Sequence, residues 1–240
     1  MSDKLVIIPT YNEKENIEAI IKAVLAVDGA FDILIVDDSS PDGTGDIIRR
    51  LIPSSQGRLN LEVRTSKDGL GRAYIHGFKW ALANNYKYIF EMDADFSHNP
   101  NDLPKLYDAL VNGADLSIGS RYCKGVNVVN WPMERVLLSY FASKYVRIIT
   151  SLPVHDATAG FVGYKAEVLT TLNLDRIQFK GYGFQIEMKY KSWIKKFKIQ
   201  EVPIIFTDRT LGESKISSDI IGEAVFGVIS LRLRNMFGKL

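Results

Sequence analysis

The sequence has a single cysteine, Cys123, which excludes an internal disulfide and is typical of a protein from a reducing compartment. It also lacks an apolar run of about 18 residues, the length that a membrane-spanning helix needs. The nearest candidate, 220–233, is interrupted by two glycines, Glu223 and Arg232. No charged and then apolar leader precedes the first strand-like run at Leu5. These absences predict a cytoplasmic protein that does not cross a membrane, although it could rest on the surface of one.

The chain has no strong charge of either sign and no basic tract. Its 30 lysines and arginines against 28 acidic residues leave a net charge of +2, too little to indicate a nucleic-acid partner. Internal repeats and low-complexity segments are absent as well. With 46% hydrophobic and 24% charged residues in 240, the composition predicts one large globular domain.

Short aliphatic runs alternate with helical patterns through the first half of the chain. Strand-like runs at 5–8, 31–36 and 59–64 are followed by amphipathic helical patterns at 13–26, after Pro41 and at 73–83. This alternation predicts an α/β fold with a mainly parallel sheet flanked by helices. The polar residues after each strand should therefore meet at one edge of the sheet, where such folds bind ligands.

The stretch E-M-D-A-D-F-S-H-N-P, residues 91–100, follows another buried-strand pattern. Asp93 and Asp95 are two residues apart, so in extended backbone their carboxylates point the same way. Convergent like charges repel each other, and a divalent cation between them would remove that repulsion. A solvated acidic turn is the alternative, and for this motif taken alone it is the more common case.

Another polar loop, Lys67 to Arg72, contains two glycines before a helix and indicates either a phosphate-binding loop or a simple turn. The polar strand ends predict a nucleotide-binding half at 1–120, and the change in composition after it predicts an acceptor-binding half at 121–216. A C-terminal amphipathic helix follows at 217–240. The second half contains a helix at 133–149 with a broad apolar face, a helix at 184–193 and a strand at 199–206.

Eight motifs occur along the chain in a characteristic order. They are P-T-Y-N-E (9–13), V-D-D-S-S-P-D-G-T (36–44), L-G-R-A-Y-I-H-G (70–77), M-D-A-D-F-S-H-N-P (92–100), G-S-R-Y (119–122), D-A-T-A-G-F (156–161), G-F-Q-I-E-M (183–188) and G-E-S-K (212–215). In these motifs the chain resembles family 2 of the inverting glycosyltransferases, and within it the branch that transfers mannose to polyprenyl (dolichyl) phosphate. The resemblance extends from about Leu5 to about Lys215.

The resemblance implies a single-domain GT-A fold, GDP-mannose as donor, a polyprenyl monophosphate as acceptor and Mg²⁺ or Mn²⁺ as cofactor. It implies Asp93, Asp95, Arg121 and Arg135 as catalytic residues. Asp95, Asp93 and Ser97 would hold the metal, although archaeal relatives have glutamine where this chain has Ser97. The implied donor-binding residues are Pro9, Tyr11, Glu13, Asp37, Asp38, Lys67, Arg72 and Ala94. The implied acceptor-phosphate residues are Arg121, Arg135, Ser139, Arg209 and Lys215.

A polyprenyl acceptor stays in the bilayer, so the enzyme has to reach the membrane surface. We predict peripheral contact on the cytoplasmic face through helix 133–149 or the last helix, and a separate membrane anchor subunit is possible. The alternative is that both helices are packed in the core. Two other functions stay open at this point, namely a UDP-glucose-dependent enzyme of the same family and an inactive nucleotide-sugar-binding scaffold.

Overall fold

The computed structural model describes residues 2–209, 218–238 and 240. Strands and helices alternate through the first half of the chain, as predicted. The strands are β1 (Lys4–Thr10), β2 (Asp32–Asp37), β3 (Leu59–Val63), β4 (Tyr88–Glu91), β5 (Leu116–Ser120), β6 (Val128–Val129), β7 (Val162–Lys165), β8 (Ile199–Pro203) and β9 (Phe206–Thr207). The α-helices are α1 (Ile17–Leu25), α2 (Thr44–Leu51), α3 (Leu70–Ala83), α4 (Leu103–Val111), α5 (Met133–Thr150), α6 (Ala166–Thr171), α7 (Tyr182–Ile194) and α8 (Ser218–Met236).

Seven strands form one sheet in the order β3-β2-β1-β4-β7-β5-β8. All neighbouring pairs are parallel except those of β7, which runs antiparallel to both β4 and β5. The predicted mainly parallel α/β sheet is therefore confirmed. Because β2 and β4 lie on opposite sides of β1, the chain changes direction across the sheet there, and a crevice opens at the carboxyl ends of these strands.

Alternate residues of the central strand pack on opposite faces of the sheet. On β1, Leu5 and Ile7 belong to one core and Val6 and Ile8 to the other, and all four are fully buried. Burying one such side chain stabilises the fold by roughly 1.5–3 kcal/mol. Helices cover both faces, so the polar strand ends are held on a rigid scaffold.

Three differences from the sequence prediction concern the ends of elements. The first helix begins at Ile17 rather than at residue 13, because the main-chain oxygen of Glu13 accepts the N–H groups of both Asn16 and Ile17 in a preceding turn. The predicted strand 199–206 is two strands. It breaks after Pro203, which has no N–H to donate, and β9 then pairs with β6 in a separate two-stranded sheet. The pattern also missed the short elements β6 and α6.

Helix α5 lies against the rest of the protein by one narrow face. Only Ser143, Val146 and Thr150 are buried, whereas Phe141 is 57% exposed and Ile148 is 75% exposed. Packing of α5 in the core, the alternative left open by the sequence, is therefore wrong. Within the described part of the chain, no helix has the length and apolar character needed to cross a bilayer.

Candidate active site

Asp37, at the end of β2, ties together the loops that follow β1 and β2. Its Oδ1 accepts hydrogen bonds from Thr10 Oγ1 at 2.9 Å and Ser40 Oγ at 2.6 Å, and its Oδ2 accepts the Ser40 N–H at 3.0 Å. The next residue, Asp38, lies 3.1 Å from Arg64 Nη1. Burial raises the pKa of Asp38, and the Arg64 guanidinium opposes that shift. These carboxylates form one wall of the crevice.

The other predicted donor-binding residues surround this wall. Lys67 Nζ lies 4.0 Å from the centre of the Tyr11 ring, a cation–π contact. The Glu13 carboxylate accepts a hydrogen bond from Asn16 Nδ2 at 3.2 Å, and its negative charge contributes to raising the pKa of Asp93. The strand ends therefore bring together acidic and basic groups from three loops, in the manner of a nucleotide-sugar site.

Helix α3 begins at Leu70, earlier than the predicted residue 73, and its first turn does not present the Gly71 amide to solvent. The Gly71 N–H donates to the carbonyl of Lys180 at 2.8 Å, and a Cβ atom on Gly71 would lie 2.8 Å from the Phe184 ring. Gly71 is thus required for close packing of α3 against α7. This role favours a structural turn over a phosphate-binding loop for the glycines of this segment. Arg72 follows on α3 and is half-buried. Ala94 is 4% exposed with its side chain in the core, which leaves only its main chain to contact a donor.

Asp95 is the carboxylate best placed for a cation. It is 7% exposed, its Oδ1 accepts the Ser97 N–H at 3.1 Å and its Oδ2 lies 2.9 Å from Arg209 Nη2. Burial favours the protonated acid, but contacts from Ser97 and Arg209 outweigh it and lower the pKa of Asp95. The Ser97 Oγ is buried and makes no hydrogen bond within the part of the chain that the structure describes.

An oxygen-preferring cation fits this donor set. Mg²⁺ and Mn²⁺ are commonly held by one or two carboxylates, with phosphate oxygens and water completing the shell. Asp95, the nearby Asp93 and the unpaired Ser97 hydroxyl supply that minimum. Among residues 2–209, 218–238 and 240, no group of three or more His, Cys, Asp or Glu side chains could hold a metal without further ligands. The remaining ligands would have to come from a substrate.

His98 shapes the turn between these aspartates and is not placed as a metal ligand. Its Nδ1 accepts the Asp93 N–H at 3.1 Å, and its ring stacks on Phe161 with a centroid distance of 4.9 Å. Burial lowers the pKa of His98, which keeps the accepting nitrogen unprotonated. His98 therefore fixes the main chain at Asp93 as a structural hydrogen-bonding residue.

Three predicted acceptor-binding arginines lie around Asp95, and each is paired with an aspartate. Arg121 donates two hydrogen bonds to the Asp156 carboxylate, from Nε at 2.7 Å and from Nη2 at 2.6 Å. Arg135 Nη1 donates to Asp208 Oδ1 at 2.7 Å, and Arg209 pairs with Asp95 as described above. The pairing orients each guanidinium and reduces the repulsion among three like charges.

Aromatic rings support the same guanidinium groups. The Trp131 ring lies 4.1 Å below the guanidinium carbon of Arg135 and 5.5 Å from that of Arg121. Phe206 is also 5.5 Å from Arg121 and contacts Trp131 edge to face at 5.1 Å. The aromatic rings and the paired aspartates together restrict the side-chain conformations of Arg121 and Arg135.

A cavity of about 420 Å³ connects this charged cluster to the surface. Asp93, Asp95 and the three arginines line it, and so does Ser139 on α5. The remaining wall is mostly apolar and comes from α5, α7 and α8. Leu138 and Phe141 line the cavity and are also 56% and 57% exposed, so it opens beside the apolar surface of α5.

The structure thus brings together in this cavity every predicted catalytic, metal-binding and acceptor-phosphate residue except Lys215, which lies outside the described residues. The predicted donor-binding residues lie on the neighbouring strand ends and do not line this cavity. Sequence reasoning missed the partners Asp156 and Asp208 and the ring of Trp131. D-A-T-A-G-F was noticed as a motif, but no local pattern connects Asp156 with Arg121.

Comparison with known proteins agrees with this geometry. The family model described as glycosyl transferase family 2 matches residues 5–172. The chain is 46% identical over 235 residues to the polyprenol monophosphomannose synthase of Mycolicibacterium smegmatis, covering 98% of this chain and 89% of that protein. It is also 46% identical to the undecaprenyl-phosphate mannosyltransferase of Micrococcus luteus, covering 93% of this chain and 91% of the relative.

The fold is similar to that of glucosyl-3-phosphoglycerate synthase from Mycobacterium tuberculosis, solved with Mn²⁺, UDP-glucose and phosphoglyceric acid. The TM-score is 0.67 at 20% identity, over 95% of this chain and 78% of that one. This likeness concerns the architecture, the predicted GT-A fold. With the family model matching more than half of the chain and two long relatives at high identity, this protein belongs to glycosyl transferase family 2.

Proposed function

We propose that this protein transfers mannose from GDP-mannose to the phosphate of a polyprenyl monophosphate. The observation that carries the proposal is the cavity, which is lined by three arginines and by apolar side chains that include the exposed Leu138 and Phe141 of α5. A polyprenyl monophosphate has the complementary form, with a dianionic head and an isoprenoid tail. The names of the two relatives, a polyprenol monophosphomannose synthase and an undecaprenyl-phosphate mannosyltransferase, support the same reaction.

The strand ends would hold the donor. Tyr11, Asp37 and Asp38 form the wall at which a guanosine would bind, with Pro9 and Glu13 in the loop after β1. Lys67 and Arg72 supply positive charge near the diphosphate. At the end of β4, Asp93 would face the sugar.

Asp95 would hold Mg²⁺ or Mn²⁺ with Asp93 and Ser97, and the donor diphosphate would complete the shell. A cation in this position would act as a Lewis acid toward the departing diphosphate. The solved Mn²⁺ complex of the structural neighbour supports a divalent ion in this fold. The Arg209 guanidinium lies beside Asp95 and balances its charge.

The acceptor needs positioning more than it needs a base. A phosphate monoester has its second pKa near ~6, so at neutral pH it is mostly dianionic and already nucleophilic. One of its oxygens would form the bond to the anomeric carbon while the bond from that carbon to GDP breaks and its electron pair leaves with GDP. A single displacement inverts the α-linked donor and gives the β-linked product. Arg121, Arg135 and Arg209, with Ser139, would hold the phosphate in line for this attack.

Contact with a bilayer would bring the acceptor to the cavity. Met133, Leu137, Phe141 and Ile148 form an exposed apolar stripe along α5, next to the exposed Lys144 and Arg147. Helix α8 has a second exposed apolar set, which includes Phe226, Leu233 and Met236. Apolar stripes beside basic residues are typical of helices that lie in a membrane interface. A separate anchor subunit stays a prediction.

The donor is tested by thermal unfolding with GDP-mannose, UDP-glucose and UDP, each with Mn²⁺. A ligand that binds only the folded state stabilises that state by about 2.7 kcal/mol when its concentration is 100 times its Kd. Of the three nucleotides, only GDP-mannose should therefore raise Tm clearly. The matched control, Asp95→Asn, should lose the dependence on Mn²⁺. A larger shift with UDP-glucose would instead support the glucosyltransferase, and donor binding without turnover would support the inactive scaffold.

The acceptor site is tested separately with Arg135→Gln. Loss of a charged, partly buried phosphate contact costs about 1.5–3 kcal/mol, which predicts a rise of about 10-fold to 100-fold in the KM for polyprenyl phosphate. Arg50→Gln is the control, because Arg50 is an exposed arginine on α2 and does not line the cavity. Equal effects of the two substitutions would refute the assignment of Arg135.

A further inference from the structure

Lys189, on α7, is a buried cation that the proposed reaction does not use. It is 0% exposed, and its Nζ donates to the carbonyl oxygens of Ala159 at 2.6 Å and Ala157 at 3.2 Å. Gln185, one turn earlier, completes its surroundings with contacts at 3.4 Å. Burial lowers the pKa of Lys189 to about 8, so at pH 7 it is still mostly protonated.

The two carbonyls belong to a loop that contacts the candidate active site. This loop, residues 156–160, includes Asp156, which holds the Arg121 guanidinium, and Thr158, whose Oγ1 accepts from Arg121 Nη2 at 2.9 Å. Its last residue, Gly160, lines the cavity beside Asp93. A shift of this loop would therefore move the guanidinium that is proposed to hold the acceptor phosphate.

Glu201, on the edge strand β8, holds the other end of the same loop. Its Oε1 accepts the Asp156 N–H at 2.9 Å and the Ser120 hydroxyl at 2.7 Å. Its Oε2 accepts both the N–H and the Nδ1 of His155, at 2.8 Å and 2.7 Å. The loop is thus fixed by a cation at its carbonyl side and by an anion at its amide side. Neither of these two residues, Lys189 and Glu201, lines the cavity itself.

We propose that Lys189 and Glu201 are positioning residues for transfer, which fix loop 156–160 and through Asp156 set the orientation of Arg121 toward the acceptor phosphate. A charged side chain is costly to bury, and Lys189 uses its hydrogen bonds on the main chain of this loop instead of on a single carboxylate partner. Because the loop is fixed, the Asp156 carboxylate is fixed as well, and this carboxylate holds the Arg121 guanidinium. This inference rests on the proposed role of Arg121.

The test compares Lys189→Met with wild type in steady-state transfer, at a temperature where circular dichroism shows both folded. Misplacing a reacting group by about 1 Å costs on the order of 100-fold, so a smaller loop shift should raise the acceptor KM about tenfold or more. Affinity for the nucleotide sugar, measured by calorimetry, should change less than about twofold, because the donor-binding strand ends lie outside this loop. Lys189→Arg should restore part of the acceptor affinity.

Arg58→Met is the matched control, since Arg58 also donates to two main-chain carbonyls, those of Leu25 and Phe31, remote from the cavity. It should lower stability and leave the acceptor KM unchanged. If Lys189→Met is not folded, the isosteric Glu201→Gln replaces it, and the same rise in acceptor KM is expected. Glu62→Gln is its control, because Glu62 also contacts a histidine, His76, and does not line the cavity. An unchanged acceptor KM, or an equal loss of donor and acceptor affinity, would overturn the inference.

A double-mutant cycle separates this inference from the proposed function. If Lys189 acts through Arg121, adding Lys189→Met to Arg121→Gln should change the acceptor KM by less than about twofold, because coupled residues are not additive. A full additional effect would show that Lys189 acts by another route and would overturn the inference. If Arg121→Gln alone leaves the acceptor KM unchanged, the failure lies in the proposed function of Arg121.

Discussion

Replacing Arg209 with glutamine should strengthen metal binding, although it removes a residue of the active site. Arg209 Nη2 lies 2.9 Å from Asp95 Oδ2, so a cation that binds Asp95 would have to displace this guanidinium or accept its repulsion. The pair is neither fully exposed nor fully buried, with side-chain exposures of 25% and 7%. Arg209→Gln removes both obstacles and leaves the Asp95 carboxylate open to the metal.

The size of the effect follows from the burial of the pair. Exposed ion pairs contribute about 0–1 kcal/mol and hydrogen bonds to charged groups about 1.5–3 kcal/mol, so an intermediate pair should contribute about 1–2 kcal/mol. Because each 1.4 kcal/mol is about tenfold in affinity, the Kd for Mn²⁺ should fall about 5-fold to 30-fold. The concentration of free Mn²⁺ can be measured by electron paramagnetic resonance while the protein is titrated with Mn²⁺, with and without GDP.

Arg135→Gln is the control for this titration, because its partner Asp208 is not a proposed ligand. It should change the Kd for Mn²⁺ less than Arg209→Gln does, because it removes a positive charge from the cavity but no contact with Asp95. Arg209→Gln should at the same time raise the KM for polyprenyl phosphate, because Arg209 is also proposed to hold the acceptor phosphate. A gain in metal affinity by itself would not raise this KM. An unchanged or weaker Mn²⁺ affinity in Arg209→Gln would refute the idea that Arg209 and the cation compete for Asp95.

Three further predictions concern stability and membrane contact. Asp156→Asn breaks a buried pair, which should cost about 3–5 kcal/mol of unfolding free energy at pH 7. The pKa of Asp156 is lowered in the folded protein, so this stability is present above the unfolded pKa and is lost as pH falls through the folded pKa. The unfolding free energies of wild type and variant in urea should therefore converge at acid pH, below the ordinary aspartate value of about 3.9. Gly71→Ala should lower stability by about 1–3 kcal/mol through overpacking against Phe184, yet leave the Kd for GDP-mannose unchanged. Phe141→Asp should reduce sedimentation with anionic vesicles, whereas Val111→Asp, at an exposed apolar position of α4, should not; equal binding by both variants would contradict contact through α5.

The sheet and the acidic part of the site were predictable because their signals are local. Short aliphatic runs identified β1 and β2. Asp93 and Asp95 follow a buried-strand pattern, and this position predicted that both aspartates lie at the edge of the sheet where the structure has them. The motif order then predicted which arginines would meet there. Each of these inferences uses residues that are close in sequence or a pattern shared with a family.

The pairings within the site could not be predicted, because they join distant segments. Arg121 and Asp156 are 35 residues apart, and Arg135 and Asp208 are 73 apart. Lys189 was missed for another reason. Its helix α7 is buried around most of its circumference, so an amphipathic pattern that places lysine toward solvent does not apply. Only the tertiary structure shows that its ammonium group lies on two loop carbonyls.

The central claim is that the protein moves mannose from GDP-mannose to a polyprenyl phosphate, and a radiolabel transfer assay tests it most directly. Wild-type protein with Mn²⁺ and polyprenyl phosphate is supplied in parallel with GDP-mannose, UDP-glucose and UDP-mannose, each labelled in the sugar, and the organic phase is counted. The account predicts label in the lipid from GDP-mannose only, as a β-linked mannosyl phosphate. Label from UDP-glucose at an equal or higher rate, or none from GDP-mannose, would contradict it.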